Sequence, residues 1–447
     1  MPNQGINRRD FTKAASLSLG AATLGISQAA PPKHYAQVDS TPPRAPSEKI
    51  RIAFIGCGGR ARQLMPFFIE NGGFEVKAIC DVKKGALAEA RKFVGDAPQA
   101  YEDHNEVLAR ADIDAVIIAT PDHWHAIIAI EACQAGKDVY VEKPLCLCVE
   151  EGRRMIQAAR KHGRIVQMGT QQLSGKIYQQ AKDVVRSGRI GDITMVRTWN
   201  FRNRFPGHGH PPDSDPPADI NWDRWLGPRT IVPYNHVKAS GAFRDFYEYA
   251  GGILTDWGTH HFHTVLDIMG YAPPKTVSAA GGKYAIDDLV TTPDTISVLY
   301  QFDDWTLEYS SRETNGRAPY NVEYGIEFCG HLGTLFLNRA NFAIISEKDR
   351  SKPEEVVRGE STDNWTPAEL DRDHVADFLD AVRTRRMPNS EVELGHQATT
   401  LSHLGNIAYR TGHQLTWDAQ TESIPNSKEA DELLRRDYRS PYELPKV

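Results

Sequence analysis

The chain is short of three things, and each shortage removes a class of function. It carries little net charge, with 52 basic against 58 acidic residues leaving −6 over 447 residues. A cationic field able to gather phosphate backbones is therefore missing, and nucleic acid is not an expected partner. Long apolar runs are also missing: the weakly apolar stretch from Ala14 to Ile26 falls well short of the ~20 residues a bilayer-crossing helix requires, and no later segment qualifies. Stable membrane insertion is not expected. Cysteine is scarce, with six at positions 57, 80, 133, 146, 148 and 329. Four fall inside expected strands or helices, and Cys146-Leu147-Cys148 lacks the two-residue spacer of redox and zinc pairs, so free, packed thiols are expected and no metal centre.

What is present is ordinary globular composition, 40% hydrophobic and 25% charged, over a length that suits two domains. The first thirty residues read as an address: Arg8-Arg9-Asp10-Phe11-Thr12-Lys13, then an Ala/Leu/Gly-rich run, then Ala29-Ala30. This resembles a twin-arginine signal, which implies delivery to the periplasm, or other export, by the twin-arginine machinery, with the protein already folded. An amphipathic helix or a disordered arm with a chance Arg pair is the alternative reading. Residues 31–48, rich in Pro, Ser and Thr, suit a linker or surface arm.

From Lys49 strands and helices alternate. Ile50 to Ile55, Glu75 to Cys80, Ala115 to Ala119, Asp138 to Val141 and Arg164 to Met168 read as strands. Between them, helices are expected over 61–70, 85–93, 105–109, 125–135 and 150–162. Continuous apolar strands between helices predict a parallel sheet covered on both faces, an α/β Rossmann-type domain over 49–170. The texture then changes. A Pro/Gly/Asp/His loop over 203–219 precedes strands at 295–302, 305–310, 324–329 and 334–337, and an α+β substrate and oligomerisation domain is expected over 171–390. Helices are expected at 374–383 and 393–411, the second inside a 391–418 segment that packs back on the core, followed by a tail at 419–447.

Gly56-Cys57-Gly58-Gly59-Arg60-Ala61 has the form G-x-G-x-x-A between a strand and a helix, and Asp81 closes the second strand. Gly56 permits the tight turn, Gly58 the approach of a pyrophosphate and Ala61 close helix packing, while the helix N-terminus attracts negative charge. Asp81 suits adenosine ribose hydroxyls and repels a 2′-phosphate, which favours NAD over NADP, although Lys83 and Lys84 could neutralise such a phosphate. Thr120-Pro121 and Glu142-Lys143-Pro144 each end a parallel strand, where open α/β sheets place ligands.

A third site lies in Gly251 to His263. If a helix starts near Thr255, Asp256 and His260 stand four apart on one face, so the carboxylate can orient the imidazole and raise its basicity for removing a hydroxyl proton. Packing is the alternative for His261 and His263, and no acidic or Cys spacing supports zinc at the three histidines. His208 and His210 with Asp213 and Asp215 read as a solvated loop rather than a metal site. Arg244 and Tyr249, just before the Asp256 segment, could line a substrate site or could pack their loop.

The Gly56 turn, Thr120-Pro121 with His125, Glu142-Lys143-Pro144, and Asp256 with His260, in this order, resemble the Gfo/Idh/MocA oxidoreductases over nearly all of residues 49–418. The resemblance implies a Rossmann domain followed by an open, mostly antiparallel sheet whose face often builds homo-oligomers. It implies an NAD(P)-dependent oxidoreductase moving a hydride at a hydroxyl carbon of a small carbohydrate: a sugar, polyol or glycoside. Lys143 would contact nicotinamide ribose and the substrate hydroxyl, His260 would be the general acid/base and Asp256 its assistant. Gly56, Gly58, Gly59, Arg60, Ala61, Asp81, Thr120, Pro121, His125, Glu142 and Lys143 would border the cofactor. Two alternatives stand beside this: a redox-neutral glycosidase or sugar transhydrogenase retaining NAD through its cycle, and a non-catalytic sugar-binding protein. The stretch from Asn221 to Tyr249 resembles a substrate-side insertion, which leaves the sugar open.

Overall fold

The computed structural model describes residues 48–359 and 368–447, so the expected signal at 1–30 and almost all of the linker at 31–48 lie outside the described residues. The first lobe runs β1 (Ile50–Ile55), α1 (Gly59–Glu70), β2 (Phe74–Cys80), α2 (Lys84–Val94), β3 (Gln99–Tyr101), α3 (His104–Leu108), β4 (Ala115–Ile118), α4 (His125–Gln134), β5 (Asp138–Val141), α5 (Val149–Lys161) and β6 (Val166–Met168). Its strands pair in parallel in the order β3-β2-β1-β4-β5-β6. Every residue of β4 and β5 is buried, as a sheet covered on both faces requires. The three-residue edge strand β3, only partly buried, has too little pattern to be read from sequence.

The second lobe adds α6 (Lys176–Arg186), β7 (Ile193–Phe201), α7 (Trp222–Leu226), α8 (Thr259–Met269), β8 (Thr276–Gly282), β9 (Thr295–Gln301), β10 (Thr306–Arg312), β11 (Tyr324–Gly330), β12 (Gly333–Leu337), β13 (Asn341–Ser346) and β14 (Glu355–Arg358). The chain closes with α9 (Ala368–Thr384), α10 (Val392–Thr411), β15 (Leu415–Thr416) and α11 (Lys428–Glu432). Nine strands form one sheet, β14-β13-β12-β11-β7-β10-β9-β8-β15, antiparallel except where β10 meets β7. Its inner face buries Val298, Tyr300, Leu307 and Tyr309 against Phe262 and Val265 of α8 and Leu401, Leu404 and Ile407 of α10.

Two assignments along the chain change. The span 171–390 does not serve the second sheet alone, because α9 returns to the first lobe, where Val375, Phe378, Leu379 and Val382 join Phe54, Phe68 and Tyr140. Periodicity identifies a helix with an apolar stripe but not the face that will cover it. Residues 419–447 are likewise more than a tail: Ala430 and Leu434 enter the second lobe's core, and the Tyr442 ring stands edge-on to Trp124 at 5.3 Å. Among the described residues no helix is long and apolar enough to cross a membrane.

Candidate active site

Gly56 sits where β1 turns into α1, at φ +83°, and a Cβ there would lie 2.6 Å from the backbone of Ala119 and Thr120. Only glycine lets the ends of β1 and β4 come so close. Gly58 and Gly59 differ, since a Cβ on either meets nothing within 4 Å. That open space lies beside the N-terminus of α1, whose unpaired backbone N–H groups favour an anion, so the turn fits a pyrophosphate. Asp81 follows β2 and accepts from the backbone N–H of Cys57 and of Lys83, both at 2.7 Å, while burial raises its pKa despite those bonds.

A cavity of about 440 Å³, within the usual range for ligand sites, opens above this turn. Of the residues expected to border a cofactor, Gly56, Gly58, Gly59, Arg60, Asp81, Thr120 and Pro121 line it, and so does Arg244. Ala61, His125, Glu142 and Lys143 do not. Ala61 is wholly buried under the helix, and the His125 ring nitrogens lie 2.8 and 3.0 Å from the carbonyl oxygens of Pro144 and Thr120. His125 thus ties two strand ends together from behind the cavity. Glu142 points back to Arg60, accepting from its Nε at 2.7 Å, while the other side of that guanidinium meets Asp371 of α9 at 2.7 and 3.1 Å. Burial alone would lower the Arg60 pKa, but the two carboxylates outweigh it and hold the cation.

A smaller cavity of about 170 Å³ adjoins the first, sharing Gly241 and Arg244 with it, and is lined also by Arg202, Arg204, His208, Asp245, Ile253 and Asp256. At this junction Lys143, two residues beyond β5, donates from Nζ to Asp256 Oδ1 and, at 3.2 Å, to the Asp256 carbonyl. Arg244 Nε reaches the same Oδ1 at 3.2 Å. Burial would raise the Asp256 pKa, but Lys143 and Arg244 hold the carboxyl far below the usual range. It therefore stays ionised.

The structure does not form the expected Asp256 to His260 pair. Residues Leu254–Gly258 make a π-helical turn before α8, and the wider i→i+5 spacing rotates Asp256 away from His260, toward Lys143. His260 lines neither cavity; its Nδ1 is buried without a hydrogen-bond partner and its ring contacts Trp257 at 6.2 Å. Burial, aided by the positive charges of Arg339 and Lys143, drives its pKa well below the ordinary value, so the ring is neutral. Tyr249 is 2% exposed, packed at 5.0 Å against Trp225 and at 5.3 Å against His123, and lines neither cavity; the loop-packing alternative is the one the structure adopts. His208 bonds Arg204 and His210 bonds Asp287.

Several lining residues escaped the sequence reading. Arg224, Trp225 and Phe243 lie in the stretch identified as an insertion, but Trp124, Glu102 and His104 give no signal in the sequence. The insertion crosses the cavity mouth. Asn221 N–H donates to Val82 O at 2.9 Å, Lys84 N–H to Asp219 O at 2.8 Å, Lys83 Nζ to Ala239 O, and Arg224 pairs with Asp103 at 2.9 Å.

Residues 50–170 match the model described as an oxidoreductase family with an NAD-binding Rossmann fold, and residues 175–309 and 366–444 match that family's C-terminal alpha/beta domain. The chain belongs to the Gfo/Idh/MocA oxidoreductase family. Among curated family relatives, a glycosyl hydrolase family 109 protein of Shewanella pealeana is 34% identical over 208 residues, 42% of this chain and 44% of the relative. An alpha-N-acetylgalactosaminidase of Shewanella oneidensis is 33% identical over 208 residues, with the same coverage. The chain thus spans under half the length of these relatives. Scyllo-inositol dehydrogenase from Lactobacillus casei, solved with NAD(H) and scyllo-inositol, shares the Gfo/Idh/MocA fold at TM-score 0.62 and 20% identity, covering 83% of this chain and 99% of the other. An oxidoreductase from Thermotoga maritima does so at TM-score 0.63 and 19% identity, covering 83% and 98%.

Proposed function

We propose that this protein transfers a hydride at a hydroxyl-bearing carbon of a carbohydrate, with NAD in the larger cavity and the sugar in the smaller. The observation that carries this reading is the Lys143, Asp256 and Arg244 cluster at the junction of the two cavities. A bound nicotinamide would supply the hydride acceptor or donor. The chain's own part is to hold a hydroxyl and manage its proton. Lys143 can donate to the hydroxyl oxygen and, when its own proton is lost to solvent, take the hydroxyl proton in turn. Asp256, itself held by Arg244, fixes the Lys143 amine in place. The uncharged His260 ring lies outside the hydrogen-bonded cluster, so Lys143 is the better candidate for acid/base work.

NAD rather than NADP is favoured by Asp81 at the end of β2 and by Lys83, whose amine is engaged with Ala239 across the cavity mouth rather than held for a 2′-phosphate. A second reading, glycoside cleavage without net oxidation, is supported by that same strap over the mouth, which disfavours cofactor exchange, and by the similarity to glycosyl hydrolase family 109 proteins. Export through the Arg8-Arg9 segment would suit it, since a retained cofactor travels with a folded protein.

The test is to denature purified protein, identify any released dinucleotide by mass, and assay native protein on glycosides and free sugars with and without added NAD. Retained NAD with cofactor-independent cleavage establishes the redox-neutral version. An empty protein that consumes added NAD establishes the dehydrogenase, and an inability to bind either dinucleotide rejects both.

A further inference from the structure

We infer that the smaller cavity is built to seat an anionic substituent of the sugar, a carboxylate in the simplest case, against Arg202 and Arg244. The inference rests on the proposed hydride-transfer reading and adds the substrate class.

It starts from charge. Arg202, Arg204 and Arg244 line the cavity, and Lys143, which does not itself line it, bonds Asp256 on its wall. The carboxylates that answer these four cations are three. Asp256 takes Lys143 and Arg244, Asp245 takes Arg204 at 2.7 Å, and Glu313 is shared by Arg202 and Arg204 at 2.7 and 2.9 Å. Within this set one positive charge is left over; Glu142, which also acts on Arg244, is paired with Arg60. A further acid, Asp122, feels Arg244, Lys143 and Asp256, but burial raises its pKa to about 7, so below neutral pH it does not cancel the surplus.

Free donors coincide with the surplus. Arg202 uses Nε and Nη2 on Glu313, and Arg244 uses Nε on Asp256 and Nη1 on the Gly241 carbonyl. Among the described residues Nη1 of Arg202 and Nη2 of Arg244 make no hydrogen bond, although the Arg244 guanidinium also lies over the Phe243 ring at 4.6 Å, and the two side chains are 28% and 36% exposed. Guanidinium N–H groups in this state match a carboxylate in charge and in planar geometry. The dinucleotide does not account for them. Its pyrophosphate belongs at the Gly58 turn, and Arg202 and Arg204 do not line the larger cavity.

Neutral sugars would meet the same wall at a disadvantage, because a hydroxyl returns less than a carboxylate for desolvating a guanidinium. The expected preference is therefore for uronic acids over their neutral parents.

The full-length protein, preloaded with NAD, is titrated calorimetrically with D-glucuronate, D-galacturonate, D-glucose and D-galactose, while formation of reduced nicotinamide is followed separately. At least one uronate is expected to bind about tenfold or more tightly than its neutral parent, the preference shrinking as salt rises. Arg202→Gln should cut that ratio about tenfold, and Arg202→Lys, which keeps the charge if Gln impairs folding, should retain part of it. Neutral sugars binding as tightly as uronates, no uronate binding at all, or a preference untouched in Arg202→Gln would each overturn the inference. Failure of the underlying reading looks different: uronate binds with the Arg202 dependence intact, yet no nicotinamide is reduced.

Discussion

At the scale of single residues, two glycines of one turn make opposite demands. Gly56→Ala would press a Cβ to 2.6 Å from the β4 backbone at φ +83°, so the variant should unfold several degrees lower or fail to accumulate. Gly58→Ala has room in the protein alone and should melt within a degree or two of wild type while losing dinucleotide affinity at least tenfold, because the methyl occupies the pyrophosphate's approach. Thermal melts beside dinucleotide titrations separate the two. Asp122 carries the clearest pH signature. Burial raises its folded pKa from 3.8 to about 7, so its contribution to stability is fully present below the unfolded value and is lost as pH rises through about 7. The loss is at most about 4 kcal/mol at ~1.4 kcal/mol per pH unit. Asp122→Asn should flatten the fall in denaturant midpoint between pH 5 and pH 8, and an unchanged slope would show that Asp122 ionises without cost.

At the scale of elements, legibility followed pattern length. The parallel strands β1, β4 and β5 and the helices α1, α4, α5 and α10 are long or uniformly apolar enough to read directly, and Gly412 caps α10 at φ +68° as its position suggests. The edge strands β3 and β14 and the 220–250 region are not legible, because their conformation is set by neighbours rather than by local periodicity. The π-helical turn at Leu254–Gly258 shows the same limit inside the site. Spacing put Asp256 and His260 on one helical face, and one extra residue in a turn was enough to send the carboxylate to Lys143 instead. The strap supplies a prediction at this scale. Arg224→Ala removes its ion pair with Asp103 and should speed dinucleotide release several-fold in a stopped-flow chase, with little change in melting temperature because the pair is partly exposed.

At the scale of the whole molecule, Arg60 joins the glycine turn, the Lys143 strand end and α9 through Glu142 and Asp371. Helix α9 is thereby tied to the cofactor cavity as well as to the first sheet. Asp371→Asn leaves the buried guanidinium with one carboxylate and should cost up to about 3 kcal/mol in denaturant unfolding, the lower end for breaking a buried pair. Full stability in that variant would mean Glu142 alone suffices.

The measurement that bears most directly on the central claim is turnover of Lys143→Ala, made beside its dinucleotide affinity. Lys143 touches Asp256 at the junction of the cavities but does not line the larger one, so dinucleotide affinity should stay within a few-fold while turnover falls by at least about a thousandfold. Turnover near the wild-type rate in that variant would contradict the account and move the chemistry away from the Lys143, Asp256 and Arg244 cluster.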